Sequence, residues 1–366
     1  MLKNHHKFHY VVLAGFVLLV FVLISFARFM ESKVPVAGYF NDADLYVEDD
    51  TLSQDFEHIE TDILTMDIPK GWELQTTGED VNQVISVRNP DDERYAIFLQ
   101  LQSKPVMRSY DERNIYQRYA NVDQEKYGIF SYAPVIRVPK IESYYGVFNQ
   151  YTENIQSYSE EFADFHFPKI YRFNAKDSSV NTGNLAHKAK DNTSLRATFA
   201  TKNQDYTDAD MGEGIFTGTL ISYEPSDVTG YYIVYTTLFV TTPQDKLLQD
   251  APALIASLKT LRFKDVFTEQ IEAGDAWDNE AAGVNDAVKD ATQNLEKLWS
   301  GRDAAYDIAR QKWADDNYDF ERICDTETGK IYRAFKGFKA GYQGQRYRAA
   351  NDDEYATPIS GYLNKH

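Results

Sequence analysis

The sequence predicts an α+β chain: an N-terminal transmembrane helix, an antiparallel-sheet α/β sandwich, then a long helix and a small Tyr-rich β-hairpin region. Three observations predict it. Residues 10–27 run for 18 positions without a charge. Between about 60 and 266, short β-rich runs bounded by turn residues alternate with a few helical runs, which calls for a layered domain and not a doubly wound parallel sheet. From 269 to 299 there is no proline, and Trp277, Ala281, Val284, Val288, Ala291, Leu295 and Leu298 fall into a 4-3 spacing.

Composition bounds the rest. The 366 residues carry 38 Lys plus Arg against 56 Asp plus Glu, a formal charge of −18. Apolar residues make up 43%, with 26 Tyr and 22 Phe, enough for a real core. The single Cys324 excludes an intrachain disulfide, a Cys-based zinc finger and an iron–sulfur cluster. The acidity argues against nucleic-acid binding, because a phosphate backbone is repelled.

Residues 10–27 would span roughly 27 Å as a helix, close to a bilayer's hydrocarbon thickness. A cleaved signal peptide has a shorter core of roughly 7–15 residues. The small-x-small patterns at Ser25-Phe26-Ala27 and Val36-Ala37-Gly38 keep cleavage open as an alternative. Lys3 and Lys7 before the run balance Arg28 and Lys33 after it, so charge does not set the orientation. A short tail before one anchor is the usual signal-anchor layout. The reading is therefore a single-pass cell-membrane protein: cytoplasmic tail 1–9, membrane contact through 10–27, and a large extracytoplasmic C-terminal domain.

Residues 28–60 read as an acidic stalk, since 41–62 hold nine acids and no Lys or Arg. The domain at 61–266 opens with a strand over 63–68, stopped by Pro69-Lys70-Gly71 before Trp72. Strands follow at 83–88 and 95–101, separated by the turn at Asn89-Pro90-Asp91-Asp92. Ser109 and Glu112 fit a capping box, with Ile115, Tyr116 and Tyr119 at helical spacing after it. The stretch 163–173 alternates like a strand interrupted by Pro168, and 174–194 reads as a long polar loop. The runs 214–223 and 231–241 read as a hairpin. Leu247, Leu248, Leu254, Ile255, Leu258 and Leu261 then mark a closing helix. The stretch 267–317 reads as a helical segment broken at Ser300-Gly301. The tail 318–366 reads as β-rich, with 320–324 and 331–335 as a hairpin. The 277–298 seam is expected to dock within its own chain. Self-association is the alternative, not favoured because three heptads with two alanines bury little area.

The strand ending in Ile68-Pro69-Lys70-Gly71-Trp72, the strands at 83–88 and 95–101, the hairpin 214–241 and the closing helix together resemble a PsbP-type α/β sandwich. The likeness covers a little over half the chain. It implies an accessory or binding module, with no functional residues carried over. The tail, with Glu321-Arg322-Ile323, Asp325-Thr326-Glu327-Thr328-Gly329, Ile331-Tyr332, Asp352-Asp353, Tyr355 and Gly361-Tyr362, is similar to one in a family of membrane-anchored bacterial extracytoplasmic proteins. About 50 residues carry that likeness, and it implies a surface setting but no activity.

Motifs for chemistry are few. There is no G-x-S-x-G, S-x-x-K, Walker loop, G-x-G-x-x-G or H-E-x-x-H. Cys324 lies on an expected strand beside a turn, where a small half-buried residue suits better than a nucleophile. Asp164 and His166 would share one face of a strand, and His58 stands near Glu60 and Asp62, but neither set has a third metal ligand at a locatable spacing. Asp205, Asp208 and Asp210 precede Gly212, and clustered carboxylates suit Ca²⁺, so these three are the candidate metal residues. They do not form an EF-hand, because Thr219 stands where its Glu belongs. No other cofactor is indicated. The tyrosines near the terminus (Tyr342, Tyr347, Tyr355, Tyr362) are assigned to structure. The expected function is non-catalytic: an extracytoplasmic binding or accessory protein for another protein or an envelope polymer. The alternative is an envelope hydrolase of glycan or peptide with a carboxylate-based site.

Overall fold

The structure, a computed structural model, describes residues 39–48, 55–226, 229–272, 283–302 and 304–366. In chain order its strands are β1 (Leu45–Glu48), β2 (Phe56–Glu60), β3 (Leu64–Pro69), β4 (Glu73–Thr77), β5 (Val84–Arg88), β6 (Ala96–Gln102), β7 (Val106–Met107), β8 (Tyr171–Val180), β9 (Ala189–Ala200), β10 (Met211–Ser226), β11 (Thr229–Pro243), β12 (Arg262–Phe263), β13 (Phe320–Asp325), β14 (Ile331–Phe335), β15 (Tyr347–Ala349) and β16 (Ile359–Lys365). The helices are α1 (Tyr110–Ala120), α2 (Gln124–Ser131), α3 (Ile141–Gly146), α4 (Phe148–Tyr158), α5 (Leu247–Thr260), α6 (Asp265–Glu272), α7 (Val284–Ser300), α8 (Ala304–Asn317) and α9 (Phe338–Gly341). The chain forms two compact units. Among the described residues, the larger runs from 55 to 311 with 356–358; the smaller joins 39–48 with 312–355 and 359–366.

The larger unit is built on an antiparallel sheet in the order β4-β5-β6-β11-β10-β9-β8, with β7 also paired to β11. Alternation along each strand sorts side chains to two faces, and both are covered. Phe98, Phe216, Phe239, Leu195 and Phe199 pack with Tyr144, Tyr145, Phe148 and Tyr151 of α3 and α4. Ile85, Val87, Ile97, Leu99 and Leu238 pack on the other face with α5 and α7. A three-stranded sheet, β12-β3-β2, joins that second core through Leu64, Met66 and Ile68. Pro69-Lys70-Gly71-Trp72 turns β3 into β4: Gly71 takes a φ of +82°, and Trp72 sits buried, edge-on to Tyr95.

Under α7 the second face turns polar. Asn181 donates to the Thr217 hydroxyl at 2.8 Å, Ser194 donates to Asn181 Oδ1 at 2.7 Å, and Asn294 of α7 donates to the Thr182 carbonyl at 3.1 Å. Beside this strip, Arg196 of β9 bonds the buried Glu213 at 2.9 Å and the buried Asp307 of α8 at 2.6 Å. Arg302 and Arg310 close the cluster on the same two carboxylates. Buried charges persist only when paired in this way.

In the smaller unit the sheet order is β1-β16-β14-β13-β15, with β14 and β16 parallel. Phe40, Ile323, Tyr332, Phe338, Tyr347 and Leu363 form its core. Asp315 bonds two buried guanidiniums, Arg322 and Arg333, each at 2.9 Å. Asp325 caps the β13–β14 turn by accepting the Glu327 N–H at 2.9 Å, and Gly329 completes the turn at φ +70°.

The expected fold class needs correcting. Among the described residues no helix is long and apolar enough to cross a membrane, and 10–27 lie outside them. The C-terminal region is no small hairpin: the 320–335 hairpin is the middle of five strands, completed by β1 and β16. Of the residues read as a stalk, 45–48 and 56–60 are strands, because pairing with β16 and β3 satisfies their backbones. The polar stretch 174–194 is mostly the ends of β8 and β9. Its polarity comes from the hydrogen-bonded strip under α7 and from β8 lying at the sheet edge. Conversely, 163–170 holds no strand. The seam docks as expected where described: Val284, Val288, Ala291, Leu295 and Leu298 are buried in the second core, while Trp277 and Ala281 fall outside the described residues.

Candidate functional site

The residues that stand out are aromatic. Ser109 accepts the Glu112 N–H and starts α1, and Asp123 accepts the Lys126 N–H and starts α2. Gln117 donates to the Ser131 carbonyl at 3.1 Å and locks the two helices together. Hairpin pairing sets Tyr223 of β10 directly opposite Tyr231 of β11. The result is a continuous run of rings. Tyr127 lies 5.4 Å from Tyr119, Tyr119 lies 6.1 Å from Tyr116, Tyr116 stacks on Phe130 at 4.7 Å, Phe130 meets Tyr231 at 5.3 Å, and Tyr231 meets Tyr223 at 5.1 Å. Each such pair contributes about 0.5–1.5 kcal/mol beyond burial, so the row is rigid.

Its middle is covered, Tyr127 at one end is half-buried, and Tyr119 beside it and Tyr223 at the other end are open. Tyr116 is buried, while Tyr119 and Tyr223 are 45% and 51% exposed. Val122, one turn past Tyr119, is 89% exposed. At the start of α1, exposed Tyr110 carries the guanidiniums of Arg113 and Arg137 at 4.9 and 5.1 Å from its ring. Arg108 bonds Glu112 of α1 and, at 2.6 Å, Glu224 of β10, tying helix to hairpin. Burial raises the proton affinity of the Tyr116 and Tyr231 phenols, so these two stay neutral. Sequence spacing picked out Tyr116 and Tyr119 alone. The density of aromatics over 110–132 was the signal for the rest.

The residues singled out from sequence are elsewhere. Asp210 is engaged locally: its carboxylate accepts Lys202 at 2.6 Å and the Thr207 N–H at 2.8 Å, and these, Lys202 foremost, draw its pKa down to about 2. Asp205 and Asp208 are exposed, Asp205 with a left-handed φ of +52°. Among the described residues no group of three His, Cys, Asp or Glu side chains is arranged to hold a metal ion. His58 bonds Asp67, its register partner across β2–β3, at 2.6 Å. Asp164 and His166 contact Gln75 through their backbones, at 3.2 and 3.0 Å. Cys324 is buried, and desolvation raises its thiol pKa. Tyr347 lies in the small core, Tyr342 packs against it, Tyr355 faces Arg322 and Tyr362 faces Phe320.

A hydrolase acid needs a raised carboxyl. Glu60, Asp210, Asp325 and Glu354 are displaced the other way. Lys264 lowers Glu60, and Arg348 lowers Glu354 to about 2. Burial pushes Asp325 up, but Arg346 and turn N–H groups outweigh it and hold the acid at about 2. No family model matches the chain, and comparison with curated proteins gives no match.

Proposed function

We propose that this is a non-catalytic binding or accessory protein that captures a protein partner through the aromatic surface of α1, α2 and the β10–β11 hairpin. The observation that carries this is the ring row from Tyr127 to Tyr223 with Tyr119 and Tyr223 exposed on it. Tyr and Arg concentrate binding energy in protein interfaces, and Tyr110 with Arg113 and Arg137 supplies both. The exposed Val122 and Val138 favour a protein face over an envelope polymer, because aliphatic groups need an apolar partner. A likeness to accessory sandwich modules agrees with this role. Placement at the cell membrane, facing outward, rests on the sequence alone, through the uncharged run 10–27.

The test is site-specific photocrosslinking in intact cells. A photoreactive residue at Tyr119 or Tyr223 should capture one discrete protein, and the same residue at exposed Val180 or Val266 should not. Equal capture at all four positions, or capture of glycan alone, overturns the reading. So does turnover of glycan or peptide by the purified chain with no adduct.

A further inference from the structure

A second feature of the larger unit is unused by this reading. Beside the start of β6, the turn 89–95 and the loop 166–169 enclose a cleft of about 390 Å³. That falls within the range of small-molecule sites, about 300–1,000 Å³. Its floor includes Ser86 of β5, 1% exposed, whose hydroxyl has no hydrogen-bond partner among the described residues. A buried hydroxyl left unpaired costs about 1–3 kcal/mol, so something normally satisfies it. Gln75, the register partner of Ser86, grips the loop by accepting the His166 N–H and donating to the Asp164 carbonyl, which fixes the wall over that hydroxyl.

The walls carry both signs of charge. Among the described residues Lys169 has no ion pair or side-chain hydrogen bond, and Arg88 is held by Glu73 at 2.6 Å. In the turn, Asp92 pairs with Arg94 at 2.7 Å, while Asp91 and Glu93 line the same cleft without ion pairs among the described residues. His166 lines the same cleft. Burial first, then Arg88 and Lys169, lower its pKa, while Glu93 and Glu73 act the other way. Its imidazole is therefore neutral near pH 7 and able to donate or accept. Unpaired cation, unpaired carboxylates and an unsatisfied hydroxyl around one opening describe a ligand bearing both charges at short range.

We propose that this cleft binds a small zwitterion, an α-amino acid or dipeptide. Its carboxylate sits toward Lys169, Arg88 and the Ser86 hydroxyl, and its ammonium toward Asp91 and Glu93. Nothing in this depends on the aromatic surface, so either reading can fail without the other.

Calorimetric titration of the full-length chain with the individual amino acids and with alanylalanine tests it. At least one should bind. Its N-acetyl form, lacking the ammonium, and its amide form, lacking the carboxylate, should each bind at least about tenfold more weakly. Lys169→Ala should weaken binding by a similar factor. The Asp91→Asn, Glu93→Gln double variant should weaken the amino acid but not its N-acetyl form. Both changes are at the surface, and circular dichroism checks the fold. No binding up to about 10 mM overturns the proposal. Equal binding of the N-acetyl form makes this a plain anion site and also overturns it, as does unchanged affinity in Lys169→Ala.

Discussion

Leu295 is the position where packing of α7 on its own sheet can be weighed. It is completely buried, in one core with Leu254 and Leu258 of α5 and Leu238 of β11. Leu295→Ala removes three carbons from a packed site and should cost about 2–5 kcal/mol. For a unit of this size, a loss of 3 kcal/mol lowers the melting midpoint by roughly 6–12 °C. Leu295→Asp should cost more, since it also buries a charge with no partner. Lys289→Ala, on the exposed side of the same helix, should stay within about 0.5 kcal/mol. Urea unfolding followed by circular dichroism gives the three values, and light scattering gives the mass. If Leu295→Asp keeps the wild-type midpoint and turns a dimer into a folded monomer, the seam is a self-association surface and the docking argument is wrong.

Three further outcomes follow from other sites. Glu213→Gln removes the carboxylate that Arg196 and Arg310 share, leaving Asp307, already bonded to Arg302, as the cluster's one acid, and should cost about 3–5 kcal/mol in urea unfolding; a change under 0.5 kcal/mol would show that water already screens this cluster. Asp325 has a folded pKa near 2 against an ordinary 3.8, so its contribution is complete above about pH 4 and drains away as pH falls toward 2. Asp325→Asn should therefore destabilise the smaller unit at pH 7 and flatten its acid-unfolding curve over that window, whereas an unchanged curve rejects the assignment. Cys324 is buried with a raised thiol pKa, so iodoacetamide at pH 8 should label the native chain far more slowly than the urea-unfolded chain; comparable rates would place the thiol at the surface.

The parts of this fold that sequence could reach were those governed by local pattern. The strands at 84–88 and 96–102, the capped helix after Ser109 and the 211–243 hairpin all follow from alternation, caps and turn residues. What escaped was set by distant partners. Leu45–Glu48 lies within an acidic run and is largely exposed, and its pairing with β16 makes it a strand. Asn181, Asn192 and Ser194 look like loop residues until they bond one another across strands. The aromatic row draws on 116–130 and 223–231, and no local periodicity joins those stretches. The cleft at Ser86 is equally hidden: spacing joins His166 to Asp164, while its charged neighbours Arg88 and Lys169 come from strand β5 and from beyond a proline.

The β1–β16 pair also sets a clock. Leu45 finds its partner at Lys365, about 320 residues later. At about 5–20 residues per second, a ribosome needs roughly 15–60 s to deliver that partner. Throughout that time the core around Phe40 lacks Leu363, and the neighbouring edge of β14 stays open. The larger unit, complete at about residue 311, can close first. Closure of the smaller unit thus waits on β16: a molecule lacking Ile359–Lys365 would keep the larger unit's core while the β14 edge of the smaller one stayed unpaired.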